Sequence, residues 1–272
     1  MSSGGGSSPT SSPSVCSRSW SISEDSLKRY VSYASESCIQ ELLAASDSGG
    51  GGGGGGGDDG WKVLAYCNGV EISKRRAGAA HVFRSRWLLH AVSPGKFMAV
   101  ANAVDAAKQW ESDLVDARYI RELGDDLSIV HLKLGADASK RTAGLFRRRD
   151  VVVYERRQTM DDGTLVVAVA SLPKEIAAGL LPPGSSSGAR GAGLLLQSGW
   201  VVEKLDAGDG GDGPPCCVVT YVVQLDPAAG WLPRCFVSRL NSKLVIMIVA
   251  KLKKMALATM HSAAADDGEV MP

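Results

Sequence analysis

The sequence predicts an α+β domain in which a curved antiparallel β-sheet wraps around a long C-terminal α-helix. Two observations carry this prediction. Short β-type segments follow one another between Trp61 and Leu225, and one long amphipathic segment, Gly230–Met260, comes after them. Short strands joined by tight turns are typical of antiparallel sheets. A sheet of about eight or nine strands curls as its twist accumulates, so it has a concave side that a helix can close, and any volume left between the two becomes an apolar pocket.

Low-complexity segments limit the folded part of the chain. Residues 1–23 are rich in Ser, Gly and Pro, and Gly49–Gly57 is an unbroken glycine run. Neither composition can form a core. We therefore expect a disordered N-terminus at 1–23, a helix at 24–46, a polyglycine linker at 47–59, one globular domain at 60–260 and a disordered tail at 261–272.

Composition excludes several classes of function. Lysine and arginine total 30 against 29 acidic residues, so no strongly basic domain indicates a nucleic-acid partner. The N-terminus lacks the basic and apolar regions of a secretory signal, and the longest apolar run, Leu244–Ala250, is far shorter than the roughly 20 residues of a membrane span. Six cysteines without C-x-x-C spacing fit reduced thiols. We expect a soluble, cytoplasmic protein.

The segment Glu24–Ala45 predicts a helix with one apolar face. Ser23 precedes it as an N-cap, and Glu24 and Asp25 place negative charge at the positive end of the helix dipole. Apolar residues then recur at helical spacing, at Leu27, Tyr30, Val31, Ala34, Cys38, Leu42 and Ala45. The sequence alone leaves open whether this helix packs on the domain.

β-Type segments begin after the glycine run. Trp61–Ile72 and His81–Val92 are predicted as two antiparallel neighbours, with the polar turn Lys74–Gly78 between them. Pro94–Val104 is predicted as a short helix, because Ser93 can cap it and Pro suits the first helical turn.

Six further strands are predicted, separated by turns and loops of typical composition. Asp125-Asp126 and Asp161-Asp162 lie in turn sequences, and Pro182–Ser198 is a loop rich in Gly, Ser and Pro. The predicted strands are Ala117–Leu123, Leu127–Leu134, Asp150–Arg157, Thr164–Ser171, Trp200–Leu205 and Cys216–Leu225.

The C-terminal segment has the pattern of a helix that packs on the sheet. Pro233 suits its first turn, and no further Pro or Gly follows before Met260. One broad face carries Phe236, Val237, Leu240, Leu244, Val245, Ile248, Val249, Leu252, Met255 and Ala256. The basic residues Arg239, Lys243, Lys253 and Lys254 fall mostly on the other side. This basic side is either simply solvated or also contacts anionic lipid headgroups transiently.

No motif predicts a metal, a cofactor or a catalytic residue. The loop Gly208–Gly213 matches G-x-G-x-x-G, but it runs into Pro214-Pro215 and a strand, whereas a dinucleotide site opens a helix. The four histidines lack metal-ligand spacing. The paired aspartates lie in turns, where Asp favours the backbone geometry, and no G-x-S-x-G sequence is present.

An ordered set of motifs resembles the START domains, the steroidogenic-acute-regulatory-related lipid transfer family. Its parts are Trp110, Ala117–Gly124, Arg149–Val153, Thr164–Ser171, Leu181–Pro183, Gly199–Glu203, Val219–Asp226 and Gly230–Pro233. Each part is weak, and their order and spacing make the set specific across about Trp61 to Met260. The inserts suggest a plant-type member. The resemblance implies a helix-grip fold that encloses one lipid or sterol without covalent chemistry.

The resemblance, together with strand alternation, nominates ligand-binding positions. The cavity-facing residues are expected to be Val130, Leu132, Val151, Val153, Glu155, Val219, Tyr221, Val223, Leu240, Leu244 and Ile248. Some family members pair a buried Glu with an Arg on the next strand, and the matching positions here are Leu132 and Glu155. A lone carboxyl in an apolar cavity has a raised pKa or a new partner, which puts a cholesterol-type ligand in doubt.

Two other classes of function remain open at this stage. A cavity enzyme, such as a cyclase or hydrolase, would use Glu155 as its acid or base. A ligand-gated interaction protein would recruit a partner through its N-terminal helix or a lid.

Overall fold

The computed structural model describes residues 22–47, 60–67, 69–78, 80–101, 114–134, 149–181, 195–205 and 215–225. The helices of this part of the chain are α1 (Glu24–Asp47), α2 (Pro94–Ala101) and α3 (Lys174–Leu180). Its strands are β1 (Lys62–Cys67), β2 (Val70–Ala77), β3 (Ala80–Leu89), β4 (Leu114–Gly124), β5 (Leu127–Leu134), β6 (Arg149–Thr159), β7 (Leu165–Ser171), β8 (Leu195–Leu205) and β9 (Cys216–Leu225). The predicted C-terminal helix, Gly230–Met260, lies outside the described residues.

The nine described strands form one antiparallel sheet, which confirms the predicted fold class. Their order is β1-β2-β3-β9-β8-β7-β6-β5-β4, and every neighbouring pair is antiparallel. The sheet is a meander except at one place, where β3 pairs with β9 and the chain crosses to the far edge to begin β4. Such a large antiparallel sheet is strongly twisted and curved.

The prediction of one strand over Trp61–Ile72 is wrong. Two strands, β1 and β2, form a hairpin there, and Gly69 has a φ of 74°, which glycine adopts without strain. The sequence Asn68-Gly69 is a strong hairpin signal, but apolar residues stand on both sides of it, so the segment resembles one continuous strand. The predicted turn Lys74–Gly78 therefore falls mostly inside β2, and β2 is the strand that pairs with β3.

Other boundaries differ in smaller ways. The strand β8 begins at Leu195, inside the segment predicted as a loop. The helix α3 was not predicted, because seven residues between Pro173 and Leu181 are too few to show an amphipathic period. The bounds of β5 and β9 agree with the predicted ones.

Helix α1 packs on one face of the sheet, which we call the outer face, and the opposite face is the inner face. Leu27, Val31 and Ile39 are fully buried against it. Polar contacts fix the end of the helix: the Arg84 guanidinium donates to the Ala45 carbonyl at 2.9 Å, and the Ser46 hydroxyl donates to the Glu203 carboxylate at 2.9 Å. The predicted helix is confirmed, and its apolar face is occupied by the sheet.

Candidate functional site

The inner face collects the predicted cavity-facing residues of β5, β6 and β9. Residues directly opposite each other on neighbouring strands share a face, and Val130 is opposite Val153 while Leu132 is opposite Val151. The predicted residues on this face are Val130, Leu132, Val151, Val153, Glu155, Val219, Tyr221 and Val223. The three predicted from the C-terminal helix, Leu240, Leu244 and Ile248, lie outside the described residues. Contact of any of them with a ligand stays a prediction.

These residues form two apolar groups that β7 joins. The first contains Val130, Val151 and Val153, with Leu132 packed against it. The second contains Val219 and Val223 among many other buried residues, with Tyr221 packed against it. Val169 of β7 packs against both groups. The inner face is thus a continuous apolar surface from β5 to β9.

Sequence reasoning missed the inner-face residues of the central strands. Val167 and Val169 of β7 and Trp200 of β8 all lie on this face. The sequence of β7 is apolar at every position from Leu165 to Ala170, because α1 covers its other face. Alternation of polar and apolar residues is absent from such a strand, so only its register with β6 assigns the faces.

An aromatic group closes one end of the inner face. The Trp200 ring stacks on Tyr221 with centroids 4.1 Å apart. Phe97, on α2, meets Trp200 edge to face at 5.8 Å, and Trp87 meets both rings at slightly larger distances. Edge-to-face and stacked pairs at these distances are favourable. Helix α2 therefore lies over the part of the inner face formed by β3, β9 and β8.

A polar group interrupts the apolar face near its other side. The Arg157 guanidinium donates two hydrogen bonds to Oε1 of Glu155, one of them from Nε at 2.9 Å. It also donates to the Tyr119 hydroxyl at 3.0 Å. The Glu155 side chain is 13% exposed and that of Arg157 is 46% exposed, so the carboxylate lies deeper than its partner. Among the described residues, no hydrogen bond reaches Glu155 Oε2.

Burial sets the acidity of this group. Desolvation raises the pKa of the Glu155 carboxyl, and the nearby charge and hydrogen bonds of Arg157 offset the increase only in part. Desolvation also acts to lower the pKa of Arg157, but the charge and hydrogen bonds of Glu155 outweigh it, so that pKa is raised. The predicted lone glutamate has found a new partner on its own strand, and its pKa is raised as expected.

Three buried polar atoms of β3 have no hydrogen-bond partner within the described part of the chain. They are Nδ1 of His81, Oγ of Ser85 and Nε1 of Trp87. Ser85 is opposite Tyr221, and Trp87 is opposite Val219, so both residues belong to the inner face. An unpaired buried donor costs free energy, and a ligand oxygen is one group that can satisfy it.

The described residues contain no group of three or more His, Cys, Asp or Glu side chains arranged to hold a metal ion. His131 is buried on the outer face between Asp150 and Arg118, away from the inner face. None of the described helices is long and apolar enough to cross a membrane.

Comparison with known proteins gives one family and one fold. A family model described as START domain matches residues 55–265, which span all nine described strands. No curated protein sequence matches the chain.

Several solved structures have the same fold. Human StAR-related lipid transfer protein 5 is 18% identical, with a TM-score of 0.64, and the match covers 86% of this chain and 99% of that chain. Human STARD10 is 18% identical, with a TM-score of 0.59 and coverage of 80% and 79%. A STAR-related lipid transfer protein of Xanthomonas axonopodis is 17% identical, with a TM-score of 0.55 and coverage of 73% and 99%. At these identities the likeness shows the fold.

Proposed function

Because this chain belongs to the START domain family, we propose that it binds one hydrophobic ligand, a lipid or a sterol, over the inner face of its sheet. The helix predicted at Gly230–Met260 closes this space, with Leu240, Leu244 and Ile248 facing the sheet. The protein carries or senses its ligand and performs no covalent chemistry on it.

The observation that supports this proposal most directly is that the sheet is apolar on both faces. The outer face is covered by α1, whereas α2 is the described helix that covers part of the inner face. The apolar group of Val130, Val151 and Val153 includes no residue of a described helix. The predicted C-terminal helix and an acyl chain or ring system cover this group together in our proposal, since each buried CH₂ group contributes about 0.8 kcal/mol.

The polar group on the inner face favours a ligand with an uncharged polar end. Arg157 is already neutralised by Glu155, so an anionic headgroup placed there would meet the carboxylate as well as the guanidinium. Oε2 of Glu155, which accepts no hydrogen bond from the described residues, can accept one from a ligand hydroxyl. We propose a neutral amphiphile that donates to Glu155 and accepts from Arg157 or Tyr119.

An enzyme that uses the same space is the second candidate, and the raised pKa of Glu155 favours it. Replacing this carboxyl separates the two functions. In an enzyme, Glu155→Gln abolishes turnover, because the amide cannot transfer a proton. In a carrier, the same variant still binds lipid and changes only which polar end is preferred.

Several finer assignments belong to the same proposal. We propose the segment limits given by composition, with a linker at 47–59 and a lipid-binding segment at 60–260 that folds together with the helix at 24–46. We also propose a plant-type member of the family, a cytoplasmic location, and transient contact of the basic helix side (Arg239, Lys243, Lys253 and Lys254) with membranes.

Native mass spectrometry of the purified full chain, followed by organic extraction, tests the proposed function. We expect a stoichiometric mass increment that an extracted lipid or sterol accounts for. Chain delipidated and then offered a broad panel should take up one neutral amphiphile per molecule. A chain that stays empty against the whole panel contradicts the proposal and favours the enzyme or the interaction protein.

A further inference from the structure

Four basic side chains lie together at one end of the inner face, which we call the basic rim. Lys62 of β1 is directly opposite Lys74 of β2, and Arg76 of β2 is directly opposite His81 of β3. Lys74 is also opposite Phe83, which is buried in the inner-face core. Residues two apart on a strand point the same way, so all four side chains face inward at the tip of the β2–β3 hairpin.

This arrangement is unfavourable for the isolated protein. Like charges directly opposite each other in a sheet are destabilising, and Lys62 and Lys74 are such a pair. Within the described residues neither lysine has an ion-pair partner, and the described side-chain contact of Arg76 is to the Gly78 carbonyl in its own turn. By contrast Arg75, which points to the outer face, contacts Glu41 of α1.

The local sequence offers no counter-charge on β2 or β3 at this end. No acidic residue occurs between Glu71 and Asp105, although Asp58 and Asp59 precede Lys62 in the sequence. Burial acts first to lower the pKa of His81, and the charges of Lys74 and Arg76 lower it further. Lys74 and Arg76 are cations with no acid on the inward side of β2 or β3, so they gain from an anion supplied by another molecule.

The position of the basic rim in the fold indicates which kind of anion it binds. The aromatic group and α2 cover the end of the inner face where β3 finishes. The basic rim lies at the other end, where β3 begins beside the last residues of β9. A hydrophobic ligand that enters there must leave a membrane, and the phosphates of anionic lipids lie at that membrane's surface.

We propose that the basic rim, formed by Lys62, Lys74, Arg76 and His81, docks this protein on membranes that contain anionic phospholipid, with this end of the inner face towards the bilayer. This inference rests on the proposed function. It assigns the docking surface to the β2–β3 hairpin, which is separate from the basic side of the predicted C-terminal helix.

Vesicle co-sedimentation of the full chain tests the proposal. The test variant is Lys74→Gln/Arg76→Gln, and the matched control is Lys28→Gln/Lys96→Gln, which removes the same charge from exposed lysines on α1 and α2. Each Lys or Arg near an anionic surface raises the partition coefficient about fivefold, so the test variant should bind phosphatidylserine-containing vesicles roughly 25-fold more weakly. The control should bind like the unmodified chain, and high salt should remove the difference.

Two further measurements make the result decisive. Thermal unfolding should show no loss of stability in the test variant, because it relieves the Lys62–Lys74 repulsion. Pure phosphatidylcholine vesicles should bind all three proteins equally weakly. Equal binding of the test and control variants to phosphatidylserine vesicles overturns the proposal.

A separate assay of lipid loading from solution, without vesicles, distinguishes a wrong docking surface from a wrong proposed function. If the unmodified chain loads lipid but docking does not depend on the basic rim, only the docking surface is wrong. If docking depends on the basic rim but no lipid is ever loaded, the docking surface stands and the proposed function is wrong.

Discussion

At the residue scale, Glu155 shows how a buried carboxylate is paired within one strand. Glu155 and Arg157 are two residues apart on β6, so they point to the same face and pair within one strand. Both residues are visible in the sequence. The family resemblance, however, implies a partner for Glu155 on β5, at the position of Leu132, and not on β6. In this protein the charged pair lies within β6.

The raised pKa of Glu155 predicts a pH-dependent effect of Glu155→Gln on stability. Because the folded-state pKa is raised, Glu155 favours folding at a pH below its unfolded-state pKa, and this contribution is lost as pH rises through the folded-state value. We expect the variant to be more stable than the unmodified chain at pH 7, by about 1.4 kcal/mol for each unit that the pKa is raised. Urea unfolding at a series of pH values measures the difference.

The sign of this effect is the critical part of the test. At a pH well below the unfolded-state pKa the carboxyl is protonated in both states, so the two proteins should then have nearly equal stability. A variant that is less stable at pH 7 would show that the hydrogen bonds to Arg157 outweigh the cost of burying the charge.

A buried histidine provides a second prediction, about stability alone. His131 is 1% exposed; its Nε2 is 2.9 Å from Asp150 Oδ1, and its Nδ1 accepts from Arg118 Nε at 3.3 Å. Arginine can only donate, so the proton is on Nε2 and is donated to Asp150. His131→Ala removes both hydrogen bonds of a fully buried side chain and should lower the free energy of unfolding by about 1–3 kcal/mol.

Ligand binding is the control for this variant. His131 lies on the outer face, opposite Val152, so lipid uptake by the folded fraction should be unchanged. Loss of uptake at unchanged stability would place the histidine in the binding site and contradict the assignment of faces.

At the element scale, the contact between α1 and the sheet depends on a glycine. A Cβ on Gly199 of β8 would lie 2.0 Å from the Val167 carbonyl oxygen and 2.6 Å from Leu42 Cδ1 of α1. Gly199→Ala must therefore move the helix or the strand, and overpacking of this kind costs about 1–3 kcal/mol. Gly95→Ala on α2 is the matched control, because its Cβ meets no atom within 4 Å. Thermal unfolding of both variants should separate them; equal midpoints would mean that α1 is loosely held.

The elements also show what a sequence can predict and why. The strands β5 and β9 have the predicted bounds, since turn residues or a glycine- and proline-rich loop flank them. The division of Trp61–Ile72 into two strands was missed because apolar residues stand on both sides of Asn68-Gly69. Which face of β7 is the inner one depends on its register, and register comes from long-range pairing. The pairing of Glu155 with Arg157 likewise depends on which side chains lie near Glu155 in the folded sheet.

At the scale of the whole molecule, the folded unit extends beyond the residues that the family model matches. The START model begins at residue 55, but α1 covers the outer face from residue 24 and is joined to β1 through the glycine run. Its buried residues pack against β6, β7, β8 and β9. The helix is therefore part of the same core as the matched region, and its apolar face is not free to recruit a partner.

This arrangement predicts that residues 55–272 alone are not a stable domain. Each fully buried Leu, Ile or Val side chain contributes about 1.5–3 kcal/mol, and removing α1 would expose Leu27, Val31, Ile39 and Leu42 together with the sheet residues beneath them. Since whole domains are stable by only about 5–15 kcal/mol, we expect the truncated chain to aggregate or to lose its cooperative unfolding transition.

A peptide of residues 22–47 added at high concentration should restore folding, because the linker acts mainly by raising the effective concentration of the helix. Replacing the glycine run by a Gly-Ser sequence of equal length should leave stability unchanged. A truncated chain that unfolds cooperatively at the same denaturant concentration as the full chain would show instead that the inner face and its cover suffice for the fold.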